Sequence, residues 1–246
     1  MERVPPLRQL EAEYYFGVLA AGDGGRRLSA RAFHTLAEMG AADYERLAAE
    51  LEEADATASV LFLGRDADRY GATMADLAAA GHEVVLHGHR HVATDGVDRD
   101  LLHSNLTQGL AAIEDAAGIT PRGYVPPGRT LDETALEVCA DIGLDWVLGE
   151  TTAAVPSALT FHEAVTPYDL RLLNEGLTPA EVLDRLHTLA EPGRAQFLHP
   201  NMFEYFDGRA QLKDWFERVS PVAVERMAET DRPGLVVDAA RPLRVE

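Results

Sequence analysis

Short runs of β-branched and aromatic residues alternate with amphipathic stretches along almost the whole chain. The apolar runs are Tyr14–Ala20, Thr57–Leu63, Glu83–His87, Gly123–Val125, Asp145–Leu148, Ala195–His199 and Leu235–Val237. Each is three to seven residues long and reads as a buried strand. Between them, helical periodicity is strongest near 43–53, 70–80, 98–117, 131–142, 178–190 and 209–230. Thr130 with Glu133 reads as a capping box, and Thr178-Pro179-Ala180-Glu181 adds proline at the first helical position. Gly81 and Gly118 stand where helices should stop.

Six or seven strands alternating with helices predict a parallel α/β architecture, either a barrel or a doubly wound sheet. The stretch Thr151–Thr178 has the least regular pattern and reads as an insertion or a loop-rich segment. The reading is one domain over residues 1–246, with its core between 14 and 238.

Composition narrows the partners. Twenty-two basic and 41 acidic side chains give a formal charge of −19, and Lys213 is the one lysine among the basic residues. This acidity argues against nucleic acid and against anionic membranes, whose phosphates need clustered Lys and Arg. It also costs stability through self-repulsion unless salt screens it, so it suggests adaptation to a high-salt cytoplasm. One cysteine, Cys139, excludes an intrachain disulfide framework. The segment Met1–Pro6 is followed by no apolar stretch of signal-peptide type, and no run approaches the ~18 apolar residues of a membrane span. The expected location is therefore cytoplasmic.

Candidate chemistry is concentrated in one segment. Four of the nine histidines fall in Gly81-His82-Glu83-Val84-Val85-Leu86-His87-Gly88-His89-Arg90-His91. A strand leads straight into His87, and parallel α/β folds carry their functional groups at the C-terminal ends of strands. Imidazole is the commonest nitrogen ligand for zinc and related metals. The alternative is a polar loop with surface histidines; the position after a strand favours metal.

Three further strand ends add to it. Tyr14–Ala21 ends in Gly22-Asp23-Gly24-Gly25, a glycine turn with one carboxylate; it is neither a dinucleotide fingerprint, since Arg27 replaces the third glycine, nor a phosphate loop. Gly123-Tyr124-Val125-Pro126-Pro127-Gly128-Arg129 is a strand ending in a rigid proline turn. Gln196-Phe197-Leu198-His199-Pro200 is a strand ending in histidine.

The order strand–Asp, strand–HxxxH, strand–proline turn, strand–His resembles the polysaccharide deacetylase (NodB-homology, carbohydrate esterase family 4) superfamily. Gly81-His82-Glu83 with His87 and His91 is similar to its GHExxxHxxxH segment. Ala56–Gly64, Gly118–Gly128 and Leu198-His199-Pro200 resemble its other strand-end segments. The resemblance runs over residues 14–200. It implies an irregular (β/α)7 barrel that hydrolyses acetyl groups on carbohydrates or other non-peptide C–N amide bonds. It also implies a divalent metal, zinc being the expected one, held by Asp23, His87 and His91. When bound, such a metal polarises the substrate carbonyl and acidifies its water. His199 maps to the general acid, and the proline turn implies substrate contacts at Tyr124, Pro127 and Gly128, its backbone helping to bind the oxyanion.

Two positions depart from the family pattern. Its general-base aspartate falls on Gly22, and the arginine that orients the base falls on Val125. The two losses are coherent, because an arginine without its carboxylate would be a buried unpaired charge. Loss of a positioned base costs about 10²–10⁴-fold in rate rather than all activity. Glu150 and His89 are the candidate substitutes. The alternative function is therefore a catalytically impaired deacetylase fold that binds a metal or a sugar-like ligand without turnover.

Overall fold

A computed structural model describes residues 41–53, 57–164, 167–189, 194–199 and 235–238. In chain order its elements are α1 (Ala41–Glu53), β1 (Ser59–Phe62), α2 (Ala67–Ala79), β2 (Glu83–Leu86), α3 (Arg99–Ala117), β3 (Gly123–Tyr124), α4 (Glu133–Asp141), β4 (Trp146–Gly149), β5 (Thr160–Ala164), α5 (Asp169–Glu175), α6 (Pro179–Thr188), β6 (Arg194–Leu198) and β7 (Leu235–Asp238). A 3₁₀ turn, Gly64–Asp66, joins β1 to α2. The expected strand Tyr14–Ala20 and helix 209–230 lie outside the described residues, as do Gly22 and Asp23.

The seven strands are all parallel and follow chain order around a closed barrel. Closure is made by β7, which pairs with β6 on one side and with β1 on the other, Val60 opposite Val237. Of the two parallel architectures open to the sequence, the barrel is the one that forms. Parallel strands need crossovers on the outside of the sheet, so both strand faces are buried and the runs read as continuously apolar.

The side-chain alternation sorts the strand residues into two clusters. Leu61, Val85, Val125, Trp146, Leu148 and Ala195 pack with one another. These come from strands and strand ends, so they fill the barrel interior. Their neighbours Val60, Phe62, Val84, Leu86, Tyr124, Val147 and Leu198 pack instead with helical residues such as Leu106, Leu136 and Leu186. They form the layer between barrel and helices.

The interior residue Trp146 is held by a polar group at the entrance of the strands. Its Nε1–H donates to Glu83 Oε1 at 3.0 Å, and Ser59 Oγ–H donates to Glu83 Oε2 at 2.9 Å. The indole lies so close over Gly123 that a Cβ there would meet its Cε2 at 1.9 Å and its Cζ2 at 2.1 Å. Gly123→Ala therefore forces Trp146 off its site. Overpacking of a core costs about 1–3 kcal/mol, and a lost hydrogen bond to a charged group adds about 1.5–3. The expected destabilisation is about 3 kcal/mol or more, with a fall in Tm of roughly 6–12 °C for a chain of this size. A thermal melt followed by tryptophan fluorescence measures it, and an unchanged Tm would contradict the packing described.

The structure departs from the sequence pattern in three places. Thr160–Ala164 is a full strand, pairing with both β4 and β6, and Asp169–Glu175 is a helix; both lie in the stretch read as irregular. The helix after the proline turn begins at Glu133 and is capped by Asp132, whose side chain accepts from Ala135 N–H at 2.8 Å. Thr130 instead forms a parallel bridge with Glu150 and accepts from Thr94 through its carbonyl, so its backbone is already committed to the sheet edge. The second capping box does form. The Thr178 N–H and hydroxyl both donate to Glu181 Oε2 at 2.8 Å and hold its carboxyl below the usual range.

Candidate functional site

The C-terminal end of β2 delivers the histidine segment as a tightly tied loop. His87 N–H donates to Phe62 O at 2.9 Å, Gly64 N–H to Gly88 O at 2.9 Å and Arg65 N–H to His89 O at 3.1 Å, which continues the β1–β2 ladder past its last strand residue. Gly88 has φ +92°, in the left-handed region, and a Cβ there would lie 2.9 Å from Asn105 Nδ2. Glycine is thus required twice over, for conformation and for space.

Asn105, on α3 and fully buried, clamps the middle of this loop from behind. Its Oδ1 accepts from Arg90 N–H at 2.8 Å and its Nδ2 donates to Arg90 O at 3.2 Å, while its own carbonyl accepts from His89 N–H at 3.0 Å. Sequence reading missed this residue, because its partners are some fifteen positions away and no local pattern marks an asparagine on an amphipathic helix.

His87 and His91 are brought together. Both are buried, at 1% and 8% exposure, and their rings meet edge to face with centroids 4.9 Å apart. His87 Nδ1 lies 2.6 Å from the Val125 carbonyl. A carbonyl only accepts, so Nδ1 carries the proton and the lone pair sits on Nε2. Metal-ligating imidazoles are characteristically held this way, with one nitrogen donating to a backbone carbonyl and the other available as a ligand. The two donors therefore fit a divalent metal. Among the described residues no third His, Cys, Asp or Glu completes a metal-binding group; the expected third ligand, Asp23, lies outside them.

The β3 end supplies the proline turn. Arg129 N–H donates to Pro126 O at 2.9 Å across Pro127 and Gly128, and Gly128 has φ +77°, the geometry of a type II turn with Pro-Gly at its centre. Pro127 is buried and Gly128 exposed at the tip. Tyr124 faces the other way, into the helix layer, and is fully buried. Burial, reinforced by Cys139, pushes its phenol well above the ordinary value. Its side chain belongs to the core, and the part of Tyr124 at the strand end is its backbone. Cys139 is likewise core, its thiol pushed up to about 12 by burial.

His199, at the end of β6, is buried at 4% exposure and paired with Asp169, which is fully buried at the start of α5. Asp169 Oδ1 lies 2.8 Å from His199 Nδ1, and Oδ2 accepts the His199 backbone N–H at 2.5 Å. The carboxylate thus fixes both the backbone and the imidazole, holding a proton on Nδ1 and leaving Nε2 as the nitrogen not bound by Asp169. The sequence pointed to His199 but not to Asp169, which lies 30 residues away in the irregular stretch.

Three other described histidines, His82, His103 and His162, are placed differently. His82 lies at the entrance of β2, where Ala58 N–H donates to its Nδ1 at 3.4 Å and burial lowers its pKa. His162 packs edge to face on Trp146. His103 is exposed on α3. Of the substitute bases, Glu150 is half exposed at the end of β4 and paired with Arg129 at 3.1 Å, and His89 is half-buried between the two candidate ligands.

Comparisons with known proteins bear on the fold. Residues 31–147 match the family model for polysaccharide deacetylase. No curated protein sequence matches. Among solved structures, a Mycobacterium smegmatis protein assigned to the polysaccharide deacetylases aligns with a TM-score of 0.62 and 22% identity over 95% of this chain and 82% of its own. A family 4 carbohydrate esterase pseudoenzyme from Bacillus anthracis aligns with a TM-score of 0.56 and 15% identity over 82% of this chain and 63% of its own, so this chain spans just under two thirds of its length. A family 4 acetyl xylan esterase from Clostridium thermocellum, in complex with a cobalt ion, aligns with a TM-score of 0.54 and 15% identity over 75% of this chain and 83% of its own. Residues 31–147 thus match the polysaccharide deacetylase model, and the closed seven-stranded barrel is similar in fold to these neighbours.

Proposed function

We propose that this chain is a metal-dependent hydrolase that removes acetyl groups from a carbohydrate or cleaves another non-peptide C–N amide bond. The observation that supports it most is the buried His87–His91 pair at a barrel strand end, with His87 Nδ1 tied to the Val125 carbonyl. Asp23 is the proposed third ligand. A divalent metal bound there, with zinc our proposal and cobalt present in a structural neighbour, would supply Lewis-acid polarisation of the acyl carbonyl. His199 is the proposed proton donor to the leaving amine or alcohol through Nε2, because Asp169 occupies Nδ1. The backbone of the Pro127–Gly128 turn is the proposed contact for the acyl oxygen. The substrate is a neutral sugar or small amide, and no nucleic acid or membrane partner is proposed. No helix among the described residues is long and apolar enough to cross a membrane.

The test is hydrolysis of an acetylated amino sugar or acetylated xylan. Turnover should be lost on treatment with a chelator and return with added zinc or cobalt. Turnover that survives exhaustive chelation, with metal analysis showing none left, would sink the mechanism.

A second reading has its own support. The base and arginine positions of the family are Gly22 and Val125, and Val125 lies fully buried in the apolar barrel interior. A neighbour is a pseudoenzyme, and a mutant of it with restored enzymatic activity also aligns. Under this reading the chain binds metal or a sugar-like ligand without turnover. The double substitution Gly22→Asp with Val125→Arg separates the two readings. A gain of hydrolysis supports the impaired site, whereas a fall in existing hydrolysis supports a working site of different design.

A further inference from the structure

One buried charge near the proposed acid has no part in the mechanism above. Arg129 follows the Pro-Gly turn with φ +65°, the only non-glycine in the left-handed region among the described residues. Backbone in that region is held only where the surroundings over-determine it, and such outliers gather at functional sites. Here both backbone groups are engaged: N–H donates to Pro126 O at 2.9 Å, and the carbonyl accepts from Glu150 N–H at 2.7 Å. Gly149 makes that approach possible, since a Cβ on it would lie 2.4 Å from Arg129 O. Glycine would serve the turn without strain, so the backbone alone does not explain an arginine.

The side chain does. It is 8% exposed, and its guanidinium lies 3.1 Å from Glu150 Oε1 and 4.0 Å over the Tyr168 ring. Tyr168 in turn lies 6.0 Å, centroid to centroid, from the His199 imidazole. The next residue is Asp169, which holds His199 by both its ring and its backbone. Burial pushes the Arg129 guanidinium below its ordinary value, and Tyr168, Glu150 and Asp169 pull it back up while Arg171 opposes them. Guanidinium, phenol ring and imidazole therefore follow one another in a row, the first laid over the second and the third tilted against it, with the Asp169 carboxylate bound to the imidazole.

We propose that Arg129 is a positioning residue for His199: anchored by Glu150 and laid on the Tyr168 ring, it holds the Tyr168–Asp169 dipeptide and so sets the orientation of the imidazole. This rests on the reading of His199 as proton donor for its catalytic consequence. A planar guanidinium suits the task because it lays a flat face on an aromatic ring while one edge binds a carboxylate; an ammonium is a compact point charge with no flat face to do both at once.

Arg129→Gly in the full chain tests it, since glycine keeps the turn and leaves a guanidinium-shaped space. Two readouts are followed, with and without added guanidinium chloride and with sodium chloride as the salt control. The first is kcat and KM for an acetylated amino sugar. The second is the low-field proton resonance of His199 Nδ1–H, identified by its disappearance in His199→Gln. Arg129→Gly should lower kcat about 10–100-fold, part of the ~10²–10⁴-fold that a positioned acid contributes, with KM nearly unchanged. It should broaden or shift the resonance, and guanidinium should restore both. Arg129→Lys should fail like Arg129→Gly, and it carries the same readouts if the glycine variant does not fold. If the unchanged protein has no turnover but the resonance depends on Arg129 and returns with guanidinium, the hydrolase reading falls and the positioning role stands. A resonance and kcat indifferent to Arg129, or no such resonance in the unchanged protein, overturns the proposal.

Discussion

Replacing His87 by glutamine is expected to lower the affinity for a divalent metal by more than about 10²-fold and to remove hydrolysis with it. Outer partners of a metal ligand already cost 10–100-fold when lost, so removal of a ligand itself should exceed that range. Glutamine keeps much of the volume and an amide N–H able to reach the Val125 carbonyl, which His87 Nδ1 approaches to 2.6 Å. The loop around it remains tied by backbone bonds to Phe62, Gly64 and Arg65 and by the Asn105 clamp, so the fold should survive. Competition with a chromophoric chelator measures the affinity, and circular dichroism checks the fold. A variant that binds metal as well as the unchanged protein would remove His87 from the ligand set.

Asp169→Asn is expected to lower kcat by about 10²–10⁴-fold, the contribution of a positioned proton donor, with KM affected far less. The asparagine oxygen can still accept the His199 backbone N–H that Asp169 Oδ2 now takes. Its amide nitrogen, however, is a donor where Oδ1 accepts from His199 Nδ1 at 2.8 Å. The imidazole must then turn or accept at Nδ1 as a neutral ring, and the imidazolium that would give up its Nε2 proton loses the carboxylate that stabilises it. The same exchange in the catalytic triad of serine proteases leaves geometry intact and still costs about 10⁴ in kcat through the wrong tautomer. Steady-state kinetics on an acetylated substrate with a good leaving group provides a check: the deficit should shrink as the leaving group needs less protonation. An equal deficit on every substrate would mean that Asp169 serves the fold rather than the proton.

These two substitutions probe halves of the site that chain order separates widely. His87 and His91 come from β2, His199 from β6 and Asp169 from the start of α5. The parallel barrel alone brings them to one rim, because every strand delivers its C-terminal end there. Around that rim the proline turn after β3 is used twice: Val125 fixes His87 through its carbonyl, and Arg129 reaches Tyr168 beside His199.

Most of the strand and helix positions, the parallel α/β class and the candidate residues His87, His91 and His199 were legible along the chain. Those signals are local: apolar runs of strand length, helical periodicity, and histidines placed directly after strands. It also carried the resemblance, because the spacing of His87 and His91 is read along the chain. What it did not carry are the features made by residues distant in sequence. The strand Thr160–Ala164 has no strong β pattern and is stabilised by neighbours on both sides. Thr130 looked like a helix cap until its bridge to Glu150 claimed its backbone. Tyr124 and Val125 are adjacent letters, but pleating sends one into the helix layer and the other into the barrel interior. Asn105, Arg129 and Asp169 owe their roles to partners 15 to 39 positions away, through contacts that exist only after the barrel closes. Local periodicity can be read from a chain because it reflects one element's own geometry; orientation of a side chain within a site reflects several elements at once, and only the closed barrel brings them together.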